Sequence, residues 1–229
     1  HLSPPQYYYE KHDLRHRANV TGGALLCVLF GGTLFSLFFN LFLQVMQYPY
    51  SGPSEFYFMS PELYYLYNIC AYILSFLVPA LIMAAASKLP QNEVISFSKV
   101  KPDVAVGSIF IGVCVCLLSN IPVNIFATFL QKLGLSGEAP SMPFPSSGLS
   151  TALYIINLAI LPPLFEEFLF RGFILGIFRR YGDGFAVVAS AFLFAMMHAN
   201  FIQIPFAFLC GLILGYIMVR TNCLWIPIV

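Results

Sequence analysis

Charge is what this sequence has least of. Only 9% of its 229 residues are Asp, Glu, Lys or Arg, against 59% hydrophobic, and the mean hydropathy is +0.80. A soluble domain needs a polar surface that so few charges cannot supply. The net charge of +1, with no Lys/Arg-rich tract, leaves no basic face for nucleic acid. The six cysteines form no CxxC and no metal-type spacing. Cys27, Cys70, Cys114, Cys116 and Cys210 fall inside apolar runs and Cys223 near the end of one, so they read as small buried hydrophobes. HExxH is absent, which gives a zincin-type site no support. No signal peptide is expected within these residues, because the first apolar run is too long for one.

What is there is a series of apolar runs. A membrane-crossing helix needs about 20 apolar residues, and the runs predict an all-α, polytopic transmembrane bundle. The expected spans are Val20 to Met46, Leu63 to Leu89, Val104 to Leu133 with a kink at Pro122, and Ser150 to Arg180 interrupted at Pro162-Pro163. Gly184 to Ala199 and Ile202 to Val219 make six, and Leu224 begins a seventh. The connections at Tyr48–Glu62, Lys88–Asp103 and Gly134–Gly148 are soluble in character. One membrane domain, 1–229, with an N-terminal arm over 1–19, accounts for the whole chain. The arm, the lysines of 88–101, Arg179-Arg180 and Arg220 fall on one side if the spans alternate. The excess of basic residues there predicts a cytoplasmic N-terminus, in a plasma membrane. The chain opens on His1 and stops inside the seventh run, so both ends are expected to be incomplete.

Of ten Asp and Glu, eleven Lys and Arg and four His, only Glu166, Glu167, Arg171 and His198 lie inside these runs and away from their ends. A charge at the bilayer centre costs at least roughly 2.5–3.5 kcal/mol, so the group reads as the working site. Depth supports the grouping. Glu166 precedes Arg180 by about as many residues as His198 follows Asp183, which at ~1.5 Å per residue puts both about 21 Å from one membrane face. The short Tyr181-Gly182-Asp183-Gly184 turn makes the two helices antiparallel neighbours. Glu167 and Arg171 stand at i,i+4, where side chains touch. Arg171 would neutralise one carboxylate while the other faces His198 and a water. Two adjacent carboxylates in a dry site cannot both ionise freely, which leaves one usable as a general acid or base. The competing reading is a structural ion pair between helices, for which one Glu would suffice.

Small and amide residues complete the pattern. Gly172 and Gly176, and again Gly211 and Gly215, have the spacing that lets helices approach closely. Asn120, Asn124 and Asn157 are expected to be buried and to bond between helices, and Asn200 to cap a helix or orient the imidazole. Gly134-Leu135-Ser136-Gly137 spells the rhomboid GxSG, but Glu138-Ala139-Pro140 follows where a buried helix should start, and no later GxxxGH occurs. Gly182-Asp183 has part of the GxGD aspartyl motif without a second intramembrane Asp.

Glu166-Glu167-Phe168-Leu169-Phe170-Arg171 reads EExxxR, and Phe194-Ala195-Met196-Met197-His198 reads FxxxH. In that order, on adjacent spans, they resemble the CAAX prenyl protease and bacteriocin-processing (CPBP, or Abi) family of intramembrane endopeptidases. The likeness covers Leu153 to Val229. Trp225-Ile226-Pro227 fits the lead-in to the family's third motif, HxxxN or HxxxD, which this chain does not reach, so the fragment is expected to be inactive. The resemblance implies a catalytic core over 150–229. Glu166 would be the base that activates water, with help from His198, and Glu167 and Arg171 would orient the site. The absent His and Asn would hold the oxyanion. It implies a peptide or membrane-protein substrate, prenylated for some relatives, with membrane lipids as the surroundings. Cofactors are expected to be none. Two Glu and two His could ligate zinc, but adjacent carboxylates beside Arg171 make a poor cation site. Other readings stay open: a non-catalytic scaffold or bacteriocin-immunity protein of the same fold, a zinc-dependent version of the protease, and, least well matched, a proton-coupled transporter.

Overall fold

The computed structural model describes residues 4–46, 60–87, 95–134 and 142–229. Among them the chain is helical throughout, with one isolated bridge between Phe97 and Cys223. The helices are α1 (Pro4–Val45), α2 (Pro61–Ser87), α3 (Pro102–Leu118), α4 (Asn120–Lys132), α5 (Gly148–Arg179), α6 (Asp183–Met197), α7 (Gln203–Thr221) and the single turn α8 (Trp225–Ile228). Most of the Tyr48–Glu62 and Gly134–Gly148 connections, the first part of Lys88–Asp103, the end of the second expected span and most of the GxSG sequence lie outside the described residues.

Four stretches among the described residues are long and apolar enough to cross a membrane: Tyr8–Val45, Pro102–Lys132, Gly148–Arg179 and Gln203–Thr221. Helix α6 is apolar but only 15 residues long. Helix α2 runs 27 residues where the second span was expected. Large apolar side chains such as Leu34, Phe38, Phe110, Leu117 and Ile125 point outward, as a hydrocarbon solvent permits and water does not. The protein is an integral membrane protein. At 42 residues, α1 is about 63 Å long. That is twice the hydrocarbon thickness, so its first turns stand beyond the bilayer.

The second half of α5 is the centre of the molecule. Leu169, Phe170, Ile174, Leu175 and Ile177 are all but inaccessible there and pack against Ala186 and Ala195 of α6, Ala207 and Met218 of α7, and Leu224. Small residues make this approach possible. A Cβ on Gly211 would come within 3.0 Å of Ala191, so α6 and α7 touch through backbone. On the far side α1 pairs with α2 along an aromatic seam, Phe35 and Phe39 lying 5.4 and 4.9 Å from Tyr67.

Proline shapes the long spans. The break between α3 and α4 falls at Ser119, three residues before Pro122, because the proline ring lacks an N–H and crowds the preceding turn. In α5, Pro162-Pro163 follow a π-helical turn at Ile156–Ile160 without ending the helix. Ser147 opens α5 by accepting from the Ser150 backbone N–H, while Ser150 returns the bond. Gly182, at φ 120°, makes the reversal into α6 that a side chain would resist.

The asparagines divide. Asn157 is buried and its amide donates to the Tyr65 carbonyl at 3.2 Å, an interhelical bond as expected. Asn120 and Asn124 are exposed instead. The Asn120 amide donates to the Cys116 and Leu117 carbonyls of the preceding turn, released at the α3–α4 break. Asn200 accepts from the Ile202 backbone N–H at 2.9 Å, an Asx turn just ahead of α7, whose N-cap is Ile202.

Candidate active site

A second π-helical turn, Phe168–Ile174, begins directly after the paired glutamates and contains Arg171. Such turns shift the register of the helix and often occur at functional sites. Ser190 of α6 donates to the Phe170 carbonyl inside the turn at 2.7 Å, satisfying a buried backbone group. Glu167 and Arg171 both face the protein interior. Arg171 Nη1 lies 2.8 Å from Glu167 Oε1, with the two side chains 0% and 5% exposed. The guanidinium carbon sits 4.3 Å above the Phe194 ring. Arg171 Nε and Nη2 and Glu167 Oε2 have no hydrogen-bond partner among the described residues.

Phe194 links the two motifs. Its ring carries Arg171 on its face and meets the His198 ring edge-on at 4.9 Å. Its carbonyl lies 2.9 Å from His198 Nδ1. A carbonyl only accepts, so Nδ1 carries the hydrogen in that bond and Nε2 of the neutral ring is left as an acceptor. His198 is the last residue before Ala199, whose φ of 49° turns the chain out of α6. A left-handed residue other than glycine costs roughly 1–2 kcal/mol.

Glu166 turns the other way from Glu167. It is half-buried and stands between two cavities. One, of about 380 Å³, is walled by Val28, Leu29, Tyr72, Phe76 and Phe194 and includes His198. The other, of about 460 Å³, lies against α3, α7 and α8 and includes Glu167 and Cys116. The Tyr72 hydroxyl of α2 donates to Glu166 Oε1. Thus Glu166 and His198 line one cavity and Glu167 and Arg171 form one pair, while Glu167 lines the other cavity and Arg171 neither, so the four do not share one cavity. Sequence reasoning missed Tyr72. With 13 tyrosines in the chain, nothing in the pattern singles it out.

As a cation site the donors are poorly arranged. Glu167 is held by Arg171, and among the described residues no three His, Cys, Asp or Glu side chains gather as a ligand set.

Residues 148–229 match the family model described as type II CAAX prenyl endopeptidase Rce1-like. Over this segment, about a third of the chain, the sequence is similar to that family of peptide hydrolases. No curated protein and no solved structure matches the chain. The matched segment starts at the capped beginning of α5 and holds all four residues singled out by charge. Helices α1 and α2, which line the first cavity, and α3 with the start of α4, which line the second, lie outside it.

Proposed function

We propose that this chain is the membrane-embedded core of an intramembrane endopeptidase in which Glu166 activates water. The observation that carries this is the division of labour between the two glutamates. Arg171 is committed to Glu167, whereas Glu166 faces a cavity it shares with an imidazole acceptor. A water between Glu166 and His198 Nε2 would lose a proton to Glu166 as its oxygen attacks the peptide carbonyl. Collapse of the tetrahedral intermediate breaks the C–N bond, and Glu166 returns the proton to the leaving amine. The carboxyl product keeps the water oxygen. Glu167 and Arg171 hold the helix register that points Glu166 into the cavity.

The mechanism proposed is metal-free, because Arg171 already occupies Glu167 and sets a fixed positive charge beside any cation that Glu166 and His198 would hold. The substrate class proposed is a peptide with a prenylated C-terminus, in keeping with the printed description of the matched family. The six-span reading with a seventh beginning at Leu224, and a cytoplasmic N-terminus in a plasma membrane, are proposed as well. The arm's contacts with Arg180 and Tyr181 support putting the N-terminus and the α5–α6 turn at the same end.

The test uses full-length protein in lipid nanodiscs and a quenched fluorogenic peptide ending in a farnesylated CaaX sequence. Wild type is expected to cleave it, with and without phenanthroline. Glu166→Gln should lose about a thousandfold or more in rate, because the amide keeps the shape but takes no proton. A Glu166→Gln protein that cleaves at the wild-type rate overturns the base assignment. Inhibition by chelation that zinc reverses overturns the metal-free mechanism.

A further inference from the structure

Among the described residues, Glu166 has one side-chain hydrogen-bond partner, and it comes from outside the segment shared with the protease family. Tyr72 sits on α2, with its ring stacked on Phe76 at 4.9 Å and 13°. That stacking aims the hydroxyl across the cavity, where it donates to Glu166 Oε1. Beyond the carboxylate, within the same helix, stands a rival. Arg171 follows one turn later, and two of its guanidinium nitrogens have no hydrogen-bond partner among the described residues. A charged donor attracts a carboxylate more strongly than a neutral hydroxyl does. Without a fixed partner on the cavity side, Glu166 would rotate toward Arg171 and away from His198.

We infer that Tyr72 is the positioning residue of the reaction: its hydroxyl occupies one oxygen of Glu166 and holds the other toward the cavity containing His198. This rests on the reading of Glu166 as the base. It assigns a working part to α2, so that the site is completed by a helix the matched family segment does not contain. A carboxylate has lone pairs on both oxygens, so the tyrosine bond and the proton transfer do not compete. The cost of misplacing a base by a single rotamer falls on the chemical step and leaves substrate binding alone.

The experiment is Tyr72→Phe in the full-length protein, which removes one oxygen and keeps the ring stacked on Phe76. With the farnesylated fluorogenic peptide as probe, kcat should fall by about ten- to a hundredfold. KM should stay within about twofold and the melting temperature within about 2 °C. An unchanged kcat overturns the proposal. So does a joint fall of kcat, melting temperature and substrate affinity, which would make Tyr72 a packing residue. A second measurement does not depend on activity. The infrared difference between wild type and Glu166→Gln isolates the Glu166 carboxyl band, and the same difference in the Tyr72→Phe background should show that band displaced. An unmoved band overturns the contact. Should the wild type leave the peptide intact, the hydrolase reading falls, and the infrared arm still decides whether Tyr72 holds Glu166.

Discussion

Two groups of charges lie at opposite extremes of this molecule. In the interior, Arg171 and Glu167 are 0% and 5% exposed and make one ion pair, with the guanidinium resting on Phe194. At the rim, Asp13 receives Arg17 at 2.8 Å, Arg180 at 3.0 Å and the Tyr181 hydroxyl, and Arg180 also meets Glu10 at 3.2 Å. Arg17 adds a bond to the Ile177 carbonyl. The rim is the better bonded of the two, and water reaches its Arg180 and Glu10, although Arg17 is buried. The interior pair has no such access. Bonding therefore does not measure what a charge is for. The rim group fastens the N-terminal arm of α1 to the turn after α5, whereas the interior group ties Glu167 to Arg171 beside a Glu166 that lines both cavities.

The contrast breaks most visibly at Arg171. Arg171→Ala leaves Glu167 buried without its cation and should destabilise the protein by roughly 3–5 kcal/mol. Thermal unfolding in detergent checks this. Pairing Arg171→Met with Glu167→Leu sharpens the point, since it removes both charges at similar volume. Most of the stability should return while cleavage of the farnesylated peptide does not. A double variant that cleaves normally would show the pair to be mere fastening.

Asp13→Asn at the rim keeps the shape and removes the shared charge. The expected loss is within roughly 1 kcal/mol, read by the same unfolding assay, with cleavage unaffected. A loss as large as that from Arg171→Ala would erase the distinction between the two groups.

The smallest effect is a dependence on alkaline pH. Burial, with the Asp13 carboxylate beside it, pushes the Tyr181 phenol up to about 12. A group whose folded pKa lies above its unfolded value stabilises fully below the unfolded one, about 10 for tyrosine. That stability drains as pH climbs from there through 12. The stability difference between wild type and Tyr181→Phe should therefore be constant below pH 9 and shrink above pH 10. A difference that stays constant up to pH 11 would remove Tyr181 from the rim group.

The sequence showed the site better than its surroundings, for a physical reason. In a chain that excludes charge from its apolar runs, an ionisable residue inside one stands out, and helix rise converts sequence distance into depth. That is why Glu166, Glu167, Arg171 and His198 could be grouped before any fold was known. Tyr72 could not, because a tyrosine in a membrane helix is ordinary until its hydroxyl is seen to meet a carboxylate. Asn120 misled for the opposite reason. Its polarity suggested a bond to a distant helix, but the break before Pro122 left carbonyls at the end of α3, one turn earlier in the chain, that took the amide instead. The helices were legible from hydropathy, whereas the π-helical turns were not, since one displaced hydrogen bond leaves composition unchanged.

The turn at Phe168–Ile174 has a consequence for insertions and deletions. A π turn is an α-helix with one residue too many, and it can relax by losing that residue. Removing any one of Phe168, Leu169 or Phe170 would leave a span of nearly the same length and hydrophobicity, fully α-helical and easier to form. Arg171 would then stand three residues after Glu167 instead of four, a spacing at which the two side chains still meet, but the Phe170 carbonyl that Ser190 holds would be lost or turned away. The extra residue is thus what hands a backbone carbonyl to the neighbouring helix, and a shorter, more regular span would keep its ion pair and give up that tie.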